Sequence, residues 1–196
     1  MPQLSVSFNA IVAQPGMLLD NEASNRDIYS AIAAVNIPFG TLCEFTSTGT
    51  VQPVQDATTT TSFVPKTAGI CIFDPLGVEQ SYVTFQVPAS SSGSSAVGWR
   101  AGMAVPLLRK GRVWVLGDAS GTQLNYGAIN VWHSSDATHN QGVFTFLAPS
   151  ATSGAEIDVA PNCISMNPTL IGGTSGISVT DPFGNTFRTY AVEIDV

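Results

Sequence analysis

The sequence predicts an all-β fold: a jelly-roll-like barrel or sandwich of short antiparallel strands, led by an irregular N-terminal arm that contains one short helix. Three observations carry this. Short runs rich in Val, Ile, Phe, Tyr, Trp and Thr recur throughout the chain after Gly40. Between them lie polar segments rich in Ser, Thr, Gly and Asn, too short to part domains. Only one stretch has helical spacing, and many short strands broken by turns argue for a sandwich or barrel.

Taken in order, Leu4–Phe8 alternates apolar and polar residues and reads as a short strand or an extended arm. Residues 13–27 are irregular, with Gln14-Pro15-Gly16 and several Asn. Ile28, Ile32 and Val35 share a helical face, so a helix over 28–35 is expected, capped by Asn25 or Asp27 and ended by Pro38 and Gly40. Residues 1–40 are therefore read as an arm or edge segment and 41–196 as the β domain. Strands are expected at 41–46, 50–55, 68–73, 81–87, 103–108, 111–116, 127–132, 142–147, 156–160, 163–166, 176–180 and 186–195. The last is the clearest: Tyr190, Val192, Ile194 and Val196 share one face, and Glu193 and Asp195 the other. Asp74-Pro75-Leu76-Gly77 and Asp181-Pro182-Phe183-Gly184 repeat a type I turn pattern.

Composition narrows the function. Hydrophobic residues make up 44% of the 196, enough for a core, while charged residues make up only 11%, under half the usual quarter. A surface of Ser, Thr, Asn, Gln and Gly suits an assembly, where charges are costly to desolvate. The net charge of −7 repels phosphate and argues against nucleic acid. No apolar run approaches the roughly 20 residues of a membrane-spanning helix, and the Met1–Ser5 start has no signal-peptide character. Cys43, Cys71 and Cys163 have apolar neighbours and read as buried free thiols.

Catalytic and cofactor patterns are weak. Gly173-Thr174-Ser175-Gly176-Ile177 fails the nucleophile-elbow spacing and reads as a flexible loop. No phosphate-cradling motif occurs. His133, Asp136 and His139 could gather on a metal only if a loop brought them together, so a polar loop is the plainer reading. Glu156/Asp158 and Glu193/Asp195 sit two apart on strands and read as solvated faces. No cofactor, no metal and no catalytic residue is expected. A lectin-like or head-fibre module is the alternative, with Tyr126 and Trp132 available to stack on sugars.

The basic residues concentrate: of seven, Arg100, Arg109, Lys110 and Arg112 fall within thirteen positions. The spacing predicts a hairpin turning at Arg109-Lys110-Gly111. Its tip is either solvated or a positive spot that docks on a partner's carboxylates. Trp99 and Trp114 are core or interface anchors, Trp114 for the core.

The same segment carries a resemblance. Trp99-Arg100-Ala101-Gly102 followed by Val105-Pro106-Leu107-Leu108-Arg109-Lys110-Gly111-Arg112-Val113-Trp114-Val115 resembles a recurring segment of tailed-phage structural cement proteins, which decorate capsids. Gln14-Pro15-Gly16-Met17-Leu18, Asn36-Ile37-Pro38-Phe39-Gly40 and Ala68-Gly69-Ile70-Cys71-Ile72-Phe73-Asp74 are similar to further pieces of that family, in order over about residues 14–116. The resemblance implies a virion protein made in the host cytoplasm that binds the outer face of the major capsid protein shell as a homo-oligomer, a trimer or dimer. It implies cementing of neighbouring capsid subunits and no catalysis. The segments resembling the family make Arg109, Lys110, Arg112, Pro15, Gly16 and Met17 the candidate partner-binding residues.

Overall fold

The computed structural model describes residues 15–19, 26–55, 66–73, 82–86, 95–118, 127–133, 141–147, 149–152, 155–166, 177–180 and 186–196. They form fourteen strands: β1 (Asp27–Ile32), β2 (Ile37–Pro38), β3 (Leu42–Phe45), β4 (Val51–Pro53), β5 (Thr67–Cys71), β6 (Tyr82–Gln86), β7 (Ser95–Trp99), β8 (Ala104–Gly117), β9 (Gly127–Trp132), β10 (Phe144–Thr145), β11 (Ser150–Thr152), β12 (Ala155–Ser165), β13 (Ile177–Thr180) and β14 (Thr186–Asp195). The all-β class expected from the sequence is the class observed. The turn motifs at 74–77 and 181–184, and the 173–177 loop, lie outside the described residues.

One eleven-stranded sheet runs β13-β14-β12-β9-β10-β8-β5-β3-β4, with β1 on β8 and β11 on β12. Because β14 also pairs with β8, the strands β8-β14-β12-β9-β10 close on themselves as a small barrel. A separate three-stranded sheet, β2-β7-β6, completes the fold. The wall between them is the key to the packing. In β3, β5 and the first half of β8, neighbouring residues enter different cores. Leu42, Ile70 and Leu108 join the barrel core with Phe144, Tyr190 and Ile194. Cys43, Cys71 and Leu107 join a second core with Ile37, Trp99 and Val51. Side chains alternate along a strand, so a strand buried on both faces shows an unbroken apolar run. Leu42-Cys43, Ile70-Cys71-Ile72 and Leu107-Leu108 are such runs.

Two expectations are corrected. Residues 28–35 are not helical: Asp27–Ile32 is β1, antiparallel to β8 from Asp27↔Lys110 to Ile32↔Ala104. The helical spacing of Ile28 and Ile32 was coincidental. β-branched Ile and Tyr29 suit a strand, and the β8 backbone at Val105 and Leu107 needs partners. Nor is there a hairpin at Arg109–Gly111. β8 runs unbroken through these residues, with a register shift opposite Asp27/Ile28 and Gly111 at φ 130°. The bulge bends the strand so that its first half pairs with β1 and β5 and its second with β14. Similarly, 156–160 and 163–166 are one strand, β12, bulged near Asn162 at φ 57°. β11 arises inside 149–154, which reads as a polar loop, and β7 where no strand was expected.

Backbone hydrogen bonds join the described residues before 41 to the strands after it. Gly16 N–H donates to the Trp114 carbonyl at 2.7 Å and Ala34 N–H to the Val51 carbonyl at 2.8 Å. β2 pairs with β7.

Candidate functional site

The basic cluster is built by cross-strand pairing. Register places Arg112 opposite Glu193 and Lys110 opposite Asp195 on β14. Arg112 Nε donates to Glu193 Oε2 at 3.0 Å, and Lys110 Nζ stands 3.5 Å from Asp195 Oδ2. Asp27 of β1 lies opposite Lys110 from the same register. Arg109 is half-buried at the bulge, with Nη2 directed at the Val196 carbonyl at 3.5 Å. Lys110 and Arg112 therefore each face a carboxylate, and the patch is mixed in sign where a positive spot was expected. These pairs are solvent-exposed, at 42%/44% and 57%/72% for their side chains. Such pairs contribute about 0–1 kcal/mol, so a partner's charges can rearrange them at little cost.

Pro15-Gly16-Met17 is stitched to the fold. Trp114 N–H donates to the Met17 carbonyl at 2.9 Å, Phe73 N–H to the Gly16 carbonyl at 2.9 Å, and Leu19 N–H to the Arg112 carbonyl at 3.0 Å. Gly16 is buried, and of the three Met17 is the exposed one. The four family-like segments meet here. Gly40 N–H donates to the Cys71 carbonyl and Leu116 N–H to the Gly40 carbonyl. Trp99 Nε1 donates to the Ile72 carbonyl, and Phe39 packs edge-on against Phe73 and Trp99. The most distinctive residues of the sequence thus form a backbone-bonded joint between the two cores.

The remaining candidates serve the fold. Trp99, Trp114 and Trp132 are all buried. Trp132 Nε1 donates to Asp118 Oδ2 at 2.7 Å, so it is not an exposed sugar-stacking ring; Tyr126 lies outside the described residues. His133 Nδ1 is 3.3 Å from the Gln55 carbonyl, while Asp136 and His139 lie outside the described residues. Among the described residues no three His, Cys, Asp or Glu are grouped to hold a metal ion. All three cysteines are buried thiols, and burial pushes Cys43 and Cys163 up to about 12. A shallow depression of about 520 Å³ beside the β12 bulge offers only Asn162, Asp195 and the buried Cys163 thiol among its polar groups.

The sequence reading missed the exposed apolar residues. Ile28, Tyr29 and Ile32 of β1 are 45%, 46% and 48% exposed, with Val35 and Met103 at the same end. Val159 and Ile164 of β12 form a second group, at 51% and 49%. The usable signal was a strand-like Ile-Tyr-Ser-Ala-Ile run without Lys or Pro to guard it.

No curated protein sequence matches the chain. A chain of the solved structure "The capsid of Myoviridae Phage XM1" has the same fold, with a TM-score of 0.56 at 14% identity over 93% of this chain and 89% of that one. The family described as "Structural cement protein (E217 gp24/Pam3 gp6)" matches residues 2–180. With that match spanning nearly all of it, the chain belongs to the phage structural cement protein family, and its role is that of a structural protein associated with the phage capsid.

Proposed function

We propose that the chain binds the outer surface of the assembled major capsid shell of a tailed phage and cements it by bridging neighbouring subunits. The observation that carries this reading is family membership over residues 2–180. It acts as a closed homo-oligomer, a trimer or dimer, joins the shell in the host cytoplasm, and works by adhesion rather than by turning over a substrate.

The physics is linkage. A protein that binds only the assembled lattice adds its binding free energy to that state alone and so stabilises it. Bridging two subunits adds avidity without tighter individual contacts. The exposed apolar residues on β1 and β12, on a surface poor in charge, fit such contacts. The arm proposed for residues 1–40 has its reaching part before Pro15, because 15–19 and 26–40 are bonded into the fold. Heads that lack the protein should disassemble at a lower temperature and regain the difference when it is added back. An unchanged disassembly temperature at full occupancy would remove the cementing role. Truncation of residues 1–12 should lower occupancy with the β fold intact, and equal occupancy would remove the arm.

A further inference from the structure

Strand β1 leaves one of its faces uncovered. Ala31, and Ala33 just beyond the strand, are buried in the second core, and Tyr29 rests edge-on against Phe45. Side chains alternate along a strand, so Ile28, Ser30 and Ile32 point to the opposite face. Register sets Ile32 beside Ala104 and Ser30 beside Pro106 of β8. Ile28, Ser30, Ile32 and Ala104 are all exposed. The chain is held together past the strand end as well. Ala33 N–H donates to the Met103 carbonyl at 2.9 Å, and Gly102 N–H to the Ala33 carbonyl at 2.8 Å. Exposed Val35 and Met103 therefore extend the apolar surface at this end.

Arg100 opens the turn that carries Met103. Its carbonyl accepts from Met103 N–H at 3.2 Å, and Ala101 N–H donates to Asn36 Oδ1 at 2.9 Å. Of the four clustered basic residues, Lys110 and Arg112 lie against Asp195 and Glu193. Arg109 is half-buried, with Nη2 directed at the Val196 carbonyl. Arg100 is exposed, and among the described residues its side chain makes no hydrogen bond or ion pair. Residues 28–36 and 100–104 hold no carboxylate. The result is an apolar face with an unspent guanidinium at its end. Protein interfaces favour that make-up, with aromatic residues, Met and Arg enriched and other charges depleted.

We propose that this face, Ile28, Ile32, Val35 and Met103 with Arg100, seats on a capsid subunit that offers it apolar side chains and a carboxylate for Arg100. The inference rests on the capsid binding proposed above and names the contact that makes it. Charge selects this occupant. A second copy docked through the same face would bring two Arg100 side chains and no carboxylate, and like charges oppose such a pairing. The chain's own residues 1–19 contain no Asp or Glu, so the arm before Pro15 has nothing to pair with Arg100. A guanidinium and a carboxylate brought together at a contact form a charge-assisted bond, stronger than a neutral one. The surrounding apolar side chains exclude water from it.

The test uses heads that lack the protein, with the purified full chain and its variants. Wild-type chain should occupy the heads, and Arg100→Glu and Ile32→Asp should each weaken binding about tenfold or more. Both positions are exposed, so both variants should keep the wild-type denaturation midpoint; if Ile32→Asp fails to fold, Arg100→Glu decides. Arg100→Lys should still bind. A water-soluble carbodiimide, which joins an amine to a carboxylate, should then link position 100 to an Asp or Glu of a capsid subunit. Occupancy by Arg100→Glu equal to wild type would overturn the proposal, as would links from position 100 only to Asp or Glu of this chain. A sedimentation coefficient altered by Arg100→Glu would place the face between copies and overturn it too. Heads left bare by the wild-type chain would remove the capsid binding on which it rests.

Discussion

At Gly16 the backbone takes φ 79°, and a Cβ there would stand 2.6 Å from the Phe73 nitrogen. Both the left-handed conformation and the lack of space demand glycine. Gly16→Ala should therefore cost about 2–4 kcal/mol of stability, seen as a lowered chemical-denaturation midpoint. A wild-type midpoint would remove the joint from the account. Glu44 is buried, and its carboxylate accepts from Gln52 Nε2 at 3.1 Å. Burial raises its pKa above the ordinary 4.5, against the lowering effects of Gln52, Gln55 and His133. In that window the folded state holds the proton that the unfolded state has released, so stability falls as pH rises past 4.5. Glu44→Gln should flatten that slope above pH 4.5, measured by denaturation at a series of pH values; an unchanged slope would acquit Glu44. Burial also keeps Cys43, Cys71 and Cys163 protonated, and the thiolate is the reactive form. A thiol reagent near neutral pH should modify none of the three in the folded chain and all of them in denaturant. The cysteines and Trp114 were legible because apolar neighbours announce burial. Gly16 was not, because a φ angle imposed by partners sixty and a hundred residues away leaves no local trace.

At the scale of elements, β8 organises the molecule by changing partners midway. The turn chemistry read at Arg109-Lys110-Gly111 was real, in that Gly111 does adopt positive φ. It serves a bend within one strand, however, because β1 and β14 hold the backbone extended on either side. Gly111→Val should cost about 1–3 kcal/mol and loosen both cores, since the strand lines each; a denaturation midpoint equal to wild type would contradict this. The charge cluster follows from the same registry. Lys110 and Arg112 of β8 meet Asp195 and Glu193 of β14, a pairing visible only once the strands are aligned. Lys110→Glu should leave stability within about 1 kcal/mol. If the cluster contacts the capsid, the same change should reduce occupancy and its dependence on salt; equal occupancy would limit Lys110 to its contact with Asp195. Strands with alternating or unbroken apolar runs were legible. β1 was not, because Ile28 and Ile32 satisfy both periods and only the vacancy beside β8 decides between them. β11 was hidden by the polar composition around it.

At the scale of the whole molecule, the two cores share one wall of β3, β5 and β8, and the family-like segments bolt that wall together at Gly16, Gly40, Phe73 and Trp114. These segments maintain the fold, and the exposed apolar residues lie apart from them, on β1 and at the β12 bulge. That division explains why the fold class and family could be read from the sequence while the contact surface could not. Core and joint residues are constrained by their neighbours within the chain, whereas a contact surface is constrained by a partner that the sequence does not contain. The central claim, that this chain adheres to the outside of a phage shell and ties its subunits, is most directly tested by electron cryomicroscopy of heads reconstituted with the purified protein. The account predicts ordered density for it on the outer surface, touching at least two capsid subunits. Density inside the shell, density seated on a single subunit, or heads left bare would contradict it.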